Sequence, residues 1–215
     1  MIILETVVYI SRHSEGFMKY IDEYKSLDSF QTKNEKNPLS VNGEEKAKLL
    51  SECAELKNID VIYSSHYVRT ISTAKYIAYK NNLKLNIDSR FGEREFGINN
   101  FNELPSDFFE HQFKDWDYKI GDGESYSEVY NRMNDGLMEI LNTWKSKRIV
   151  IVSHGTALTV MLKKWCELRE NHDTRLIEIY FKDELVFDGN WKAPELFKLV
   201  FDENNELKTI ININY

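Results

Sequence analysis

Positive charge is in short supply in this chain. Against 35 acidic residues stand 28 lysines and arginines, a formal net charge of −7. Nucleic acid needs a basic face to meet its phosphates, so this charge argues against a nucleic-acid partner. Cysteine is nearly absent. Cys53 and Cys166 are the only two, and their spacing suits neither a metal nor a redox site. They read as reduced packing residues. Proline is equally scarce, three in all, and Pro38 and Pro105 act as breakers between segments. No stretch approaches the roughly 20 apolar residues that span a bilayer. The apolar run at residues 7–10 has no basic lead-in and no small cleavage-type residues. The expectation is a cytoplasmic protein with no membrane partner.

What is present suffices for a real core. The chain has 215 residues, 42% of them hydrophobic, which fits one domain over 1–215. Short buried strands are predicted at 6–10, 60–63, 83–87 and 148–152. Helical spacing covers 40–58, 67–81, 124–147 and 156–168, with Ser40 as an N-cap. Strands alternating with helices predict an α/β fold, a three-layer α/β/α sandwich with a mostly parallel central sheet. Residues 176–187 are apolar and fit helix or strand equally. Residues 196–201 and 207–213 read as a hairpin. Its edge offers a place where a second copy could pair, giving a homodimer. The polar stretch 16–38, with Phe17, Tyr20, Tyr24 and Phe30, reads as a long active-site loop or lid. Residues 98–123 are aromatic and acidic and read as a small inserted cap.

Two of the strands each deliver a histidine at the C-terminal end. Arg12-His13 follows the first, and Ser153-His154-Gly155 follows the fourth. In open α/β sheets that edge is where ligands bind. Arg69 opens the helix after the second strand. That is an odd place for a cation, because the N-terminal end of a helix dipole favours anions. Two histidines and two arginines on one edge make an oxyanion pocket, and guanidinium forks match phosphate oxygens. A neutral imidazole is a competent nucleophile near neutral pH. A carboxylic acid is still needed to protonate a leaving alkoxide. Glu93 is the candidate, with Glu95 and Glu15 as rivals. Arg94 either touches substrate or pairs with Glu93 or Glu95. Ser14, Glu124 and Gly155 are further candidates for substrate binding, although Glu124 and Ser125 also fit a plain helix start. His111 and His172 sit in charged loops and read as solvated.

These residues carry a family resemblance. Arg12-His13-Ser14-Glu15 resembles the arginine-histidine-glycine signature of the histidine phosphatase superfamily, in its phosphoglycerate-mutase-like branch. Leu39-Ser40 with Gly43 and Ala47, then Ser64-Ser65-His66-Tyr67-Val68-Arg69-Thr70 with Thr73-Ala74, resemble later motifs of that branch. Glu93-Arg94-Glu95-Phe96-Gly97 resembles its acid-bearing loop. Gly123-Glu124-Ser125 with Arg132, and Ser153-His154-Gly155, complete the order. The match spans roughly residues 5–160. It implies a phosphoglycerate-mutase-like fold and a phosphohistidine formed on His13. Arg12, Arg69 and His154 would hold the phosphoryl oxygens, and Glu93 would serve as proton donor. It implies no metal and no cofactor, since the arginines supply the positive charge. There are departures. Ser14 stands where the family usually has glycine, and His66 where it has proline. Asn99-Asn100-Phe101 replaces a tryptophan-glutamate-glycine.

The leading expectation is a phosphomonoesterase acting on a small phosphorylated metabolite. A mutase and an inactive phosphate-binding module are the alternatives. A metallohydrolase built on His13 and His154 is disfavoured, because the neighbouring arginines repel a cation. From Phe101 to Glu124 the cap has seven acidic residues against Lys114 and Lys119. That charge predicts a substrate with one phosphate and a neutral or cationic remainder.

Overall fold

A computed structural model describes residues 5–17 and 28–215. In chain order the elements are β1 (Thr6–Arg12), α1 (Phe30–Lys36), α2 (Val41–Leu50), β2 (Val61–Ser64), α3 (Val68–Lys80) and β3 (Leu85–Ile87). Then come α4 (Phe108–Lys114), α5 (Tyr126–Thr143), β4 (Arg148–Ser153), α6 (Gly155–Leu162), β5 (Glu167–Glu170), β6 (Ile177–Phe181), β7 (Glu184–Phe187), β8 (Glu195–Phe201) and β9 (Leu207–Asn212).

The main sheet has the order β3-β2-β4-β1-β8-β9. Its first four strands are parallel, and β8 and β9 are antiparallel to their neighbours. Successive side chains of a strand point to opposite faces. Val8, Ile10, Ile149 and Ile151 therefore pack with Val129, Met133 and Leu137 of α5 and Leu158 of α6. Tyr9, Val150 and Val152 pack on the other face with Leu50 of α2 and Ala74 and Ile77 of α3. Both faces are covered, which is why these strands read as continuous apolar runs. The fold is the expected three-layer α/β/α sandwich.

Local chemistry sets the helix starts. Ser125 and Glu128 form a reciprocal capping box at α5. The Oγ of Ser40 accepts the Gly43 N–H at 2.9 Å and opens α2. Position 43 must be glycine, because a Cβ there would lie 2.0 Å from the Glu15 carbonyl oxygen. That close approach presses α2 against the loop after His13.

Several boundaries differ from the sequence reading. The helix expected over 40–58 stops at Leu50, where Ser51 turns its hydroxyl onto the Lys48 carbonyl, and a single 3-10 turn follows at Ala54–Leu56. The helix expected over 156–168 stops at Leu162, and Glu167–Glu170 pairs with β6 as a strand. Positions 157–162 of α6 are all buried, so no amphipathic stripe marks the end. Residues 176–187 resolve into β6 and β7. They are joined at Lys182 and Asp183, both with positive φ (51° and 66°). That turn usually announces itself as Asn-Gly, and here it does not. The hairpin β8–β9 forms as expected, but it extends the main sheet by pairing with β1, leaving β9 at the edge.

Of the stretch 16–38, residues 30–36 form α1, and Gly16 bridges Leu39. Tyr20 and Tyr24 lie outside the described residues. The excursion after Gly97 returns at Gly123. A Cβ on Gly97 (φ +69°) would lie 2.2 Å from the Gly123 nitrogen, so the two ends meet backbone to backbone. Between them α4 packs through Phe96, Phe101, Phe108 and Phe109, with Phe30 of α1 joining the stack. Among the described residues no helix is long and apolar enough to cross a membrane. Cys53 and Cys166 are both free and buried.

Candidate active site

The parallel register of β1 and β4 builds the centre. Arg12 lies opposite Ser153, so the residues that follow them, His13 and His154, leave the sheet side by side. The His13 N–H donates to the Ser153 carbonyl at 2.9 Å, and the two imidazole centroids are 5.1 Å apart. The end of β2 completes the row, with the Ser65 N–H donating to the Val152 carbonyl at 3.1 Å. Arg69 then enters from the first turn of α3, only 5% exposed.

Hydrogen bonds define which nitrogen faces where. His13 donates Nδ1–H to the Ser14 carbonyl at 2.6 Å, which leaves the Nε2 lone pair outward. Arg69 Nε donates to that Nε2 at 2.9 Å. Arg69 Nη1 donates to the Asn34 carbonyl, and Nη2 donates to His154 Nδ1 at 3.2 Å. On its far side His154 donates Nε2–H to Ser65 Oγ at 2.9 Å. Ser65 passes the chain to Thr70 Oγ1 at 2.7 Å, and Thr70 ends it on the Tyr67 carbonyl at 2.7 Å. The Tyr67 ring lies under the Arg69 guanidinium, 4.6 Å from its carbon. Arg12 is held by the carbonyls of Trp191 and Lys192.

Burial and charge together set the protonation states. Burial pushes His13 well below its ordinary value, and the positive charges of Arg69 and Arg12 push it further. His154 is lowered in the same way, by burial first and then by Arg69. Both imidazoles are neutral near neutral pH. Burial brings the Arg69 guanidinium down to about 10, so it stays charged. The guanidinium hydrogen bonds go to neutral acceptors, two imidazole nitrogens and a backbone carbonyl.

Glu93 faces the same space. Its Oε1 accepts the backbone N–H groups of Arg94 (3.0 Å) and of Ala157 in the first turn of α6 (3.1 Å). Arg132 pins the loop that carries it. Arg132 donates to the carbonyls of Arg90 (2.7 Å), Gly92 (2.9 Å) and Glu93 (3.2 Å), and grips both carboxylate oxygens of Glu124. A cavity of about 660 Å³ opens onto Arg12, His13, Arg69 and Glu93. His154 is fully buried behind Arg69.

The other candidates sit elsewhere. Ser14 is buried, its hydroxyl donating to the Gly43 carbonyl at 2.7 Å and its N–H to Thr73 Oγ1 at 2.9 Å. The side chain that replaces the usual glycine therefore points into the α2 contact and away from the cavity. Arg94 is buried in the cap, bonded to Gln112 and stacked over Phe96 at 4.2 Å. It pairs with neither Glu93 nor Glu95. Glu124 is committed to Arg132. Gly155 starts α6 against the Trp191 ring, where an added Cβ would come within 3.2 Å. Glu15 binds Ser40, Asn42 and Lys46 at the rim. Sequence reasoning missed Asn34, Asn37 and Ala193, which also line the cavity. They carry no motif, and only the folding of α1 and of the β7–β8 connection brings them there.

Among the described residues no group of three histidine, cysteine, aspartate or glutamate side chains is placed to hold a metal ion.

Comparisons with known proteins agree with this geometry. Residues 8–179 match the family model of the histidine phosphatase superfamily (branch 1). Over 157 residues the chain is 30% identical to phosphoserine phosphatase 1 of Hydrogenobacter thermophilus, covering 70% of this chain and 71% of that protein. Over 177 residues it is 29% identical to a Citrobacter koseri protein named "Probable phosphoglycerate mutase GpmB", covering 75% and 78%. The solved structure of Bacillus stearothermophilus YhfR superposes with a TM-score of 0.70 at 19% identity, over 95% of each chain. Strand order, paired histidines and the family model converge: this chain belongs to the histidine phosphatase superfamily, branch 1.

Proposed function

We propose that the chain hydrolyses small phosphoric monoesters in two steps through a phosphohistidine on His13. The observation that carries this reading is the outward Nε2 lone pair of His13, fixed by the bond from Nδ1 to the Ser14 carbonyl, at the charged end of the cavity. In the first step Nε2 attacks phosphorus and the bond to the leaving oxygen breaks. Glu93 gives that oxygen a proton. In the second step water attacks phosphorus, Glu93 takes a proton back, the N–P bond breaks and phosphate leaves. Arg12 and Arg69 take the phosphoryl oxygens and balance the charge that develops on them. His154 accepts from Arg69 Nη2 at Nδ1 and gives its own N–H to Ser65, so in this reading it acts by orienting the guanidinium.

The cavity favours hydrolysis over mutase chemistry, because a returning bisphosphate needs a second cationic subsite. The described cavity wall carries no cation besides Arg12 and Arg69. We read 1–215 as one domain with its cap at about 98–123, working in the cytoplasm. The outer edge of β9 is where a second copy would add.

Hydrolysis of an aryl phosphate with chelator present, natural chain against His13→Ala, tests the reading. Activity that resists chelation and disappears in the variant is expected, with an acid-labile phosphoprotein in rapid-quench samples. Full activity in His13→Ala, or activity lost to chelator, would overturn it.

A further inference from the structure

Glu195 carries a buried carboxylate that does no chemistry in the proposed reaction. It opens β8 and is only 5% exposed. It stands directly opposite Arg12 in the antiparallel pairing of β8 with β1, and side chains so placed leave the same face of a sheet. Its Oε1 accepts from the Asn212 amide, at the end of β9, at 2.8 Å. Its Oε2 accepts the backbone N–H of Lys192 at 2.6 Å.

That N–H belongs to the peptide unit between Trp191 and Lys192. The carbonyl of the same unit accepts from Arg12 Nη1. A trans peptide is planar, with its N–H and C=O pointing opposite ways, so fixing one end aims the other. The unit also meets a charge at each end, carboxylate at the N–H and guanidinium at the C=O, and both polarise it in the same sense. Its Trp191 side is anchored separately. The indole N–H donates to Thr159 Oγ1 of α6 at 2.9 Å, and the ring lies against Gly155. A guanidinium is a rigid planar fork, so a carbonyl that fixes one nitrogen sets the direction of the others. Burial lowers Arg12 from its ordinary value, and the charges of Glu93 and Glu195 oppose that loss.

We propose that Glu195 is a positioning residue for the reaction, aiming the Arg12 guanidinium at the phosphoryl group through the Trp191–Lys192 peptide. The inference rests on the phosphatase reading for the role of Arg12 and goes beyond it. Trp191, Lys192 and Glu195 all follow residues 8–179, the stretch that matches the family model.

The test is kcat/KM for an aryl phosphate in a double-mutant cycle of Glu195→Ala with Arg12→Ala. Beside Arg12, Glu195→Ala is expected to lower kcat/KM by about 10–100-fold, because a misaimed donor loses much of what a removed one loses. In the Arg12→Ala chain the same change should cost under about two-fold, since no guanidinium is left to aim. Glu195→Gln keeps an oxygen for the Lys192 N–H and should recover most of the loss. Equal costs in the two backgrounds would make Glu195 a loop anchor only and overturn the inference. A loss under about two-fold beside Arg12 would overturn it too. If the urea transition shows that Glu195→Ala does not fold, Glu195→Asp takes its place in the cycle. It is one methylene shorter, and draws the carboxylate off the N–H with its charge kept. A natural chain that turns over no aryl phosphate would bring down the phosphatase reading alone. Calorimetric titration of inorganic phosphate into the same four chains then decides the inference by the same non-additivity, and a natural chain that binds no phosphate sinks both.

Discussion

Arg69 donates its Nε–H to Nε2 of His13 across 2.9 Å, so a guanidinium covers the lone pair that the proposed mechanism directs at phosphorus. The same guanidinium reaches His154 Nδ1 at 3.2 Å. In the proposed mechanism an arriving phosphoryl group would compete for both bonds and free Nε2 of His13 as it takes the guanidinium.

Lysine cannot reproduce that three-way contact, because an ammonium is a point charge without a fork. Arg69→Lys should lower kcat/KM for an aryl phosphate by about 10²–10³-fold, the usual cost of removing one well-placed donor. It should also shift Arg69's share of the field on His13. A variant within two-fold of the natural rate would refute the role of this contact.

The buried histidines make stability depend on pH. His13 and His154 are held well below their ordinary value, by burial first and Arg69 second. The unfolded chain takes up these protons near about pH 6.5, and the folded chain does not. Stability is therefore complete above about pH 6.5 and falls as the pH drops below it, by up to about 1.4 kcal/mol per pH unit for each histidine. Urea midpoints from about pH 7.5 down to about pH 5 should fall. His154→Gln should flatten the slope, and a midpoint that rises on acidification would contradict the account.

Ser65 fixes the tautomer of His154. Its hydroxyl accepts from Nε2–H because it is itself committed to Thr70, and Thr70 to the Tyr67 carbonyl. Ser65→Ala frees the imidazole to turn or change tautomer. Turnover is expected to fall by about ten-fold or more, given the cost of a wrong tautomer in related chemistry. Nitrogen NMR of the histidine rings should show loss of the single Nε2–H form. An unchanged spectrum with unchanged rate would remove Ser65 from the catalytic arrangement.

Ser14 is a structural residue in this fold, bonded to Gly43 and shielded from the cavity. Ser14→Gly removes a buried hydrogen bond and loosens the unfolded chain, so it should cost about 1–2 kcal/mol. Aryl phosphate turnover should stay within about two-fold of the natural chain. A large gain in rate would mean that the hydroxyl obstructs phosphate after all.

The meeting of His13 with His154 was legible because two apolar runs each ended in a histidine, and parallel strands align their ends. Arg69 was legible as a cation in the wrong place for a helix start. Arg94 was not, because its neighbours in sequence are charged while its neighbours in space are Phe96, Phe108 and Tyr126. The end of α6 was hidden by burial on every side, and the β6–β7 turn by its Lys-Asp sequence. Asn34 and Asn37 reach the cavity only through the packing of α1, which no local spacing encodes.

The strand that carries His13 lies between β4 and β8. It is the first described strand, while β4 and β8 come about 140 and 190 residues later in sequence, so both of its pairings join distant parts of the chain. The connection before β8 supplies the carbonyls of Trp191 and Lys192 that hold Arg12, so the arginine beside His13 is fixed only when this distant segment docks. Folding is then limited by pairing between distant parts of the chain.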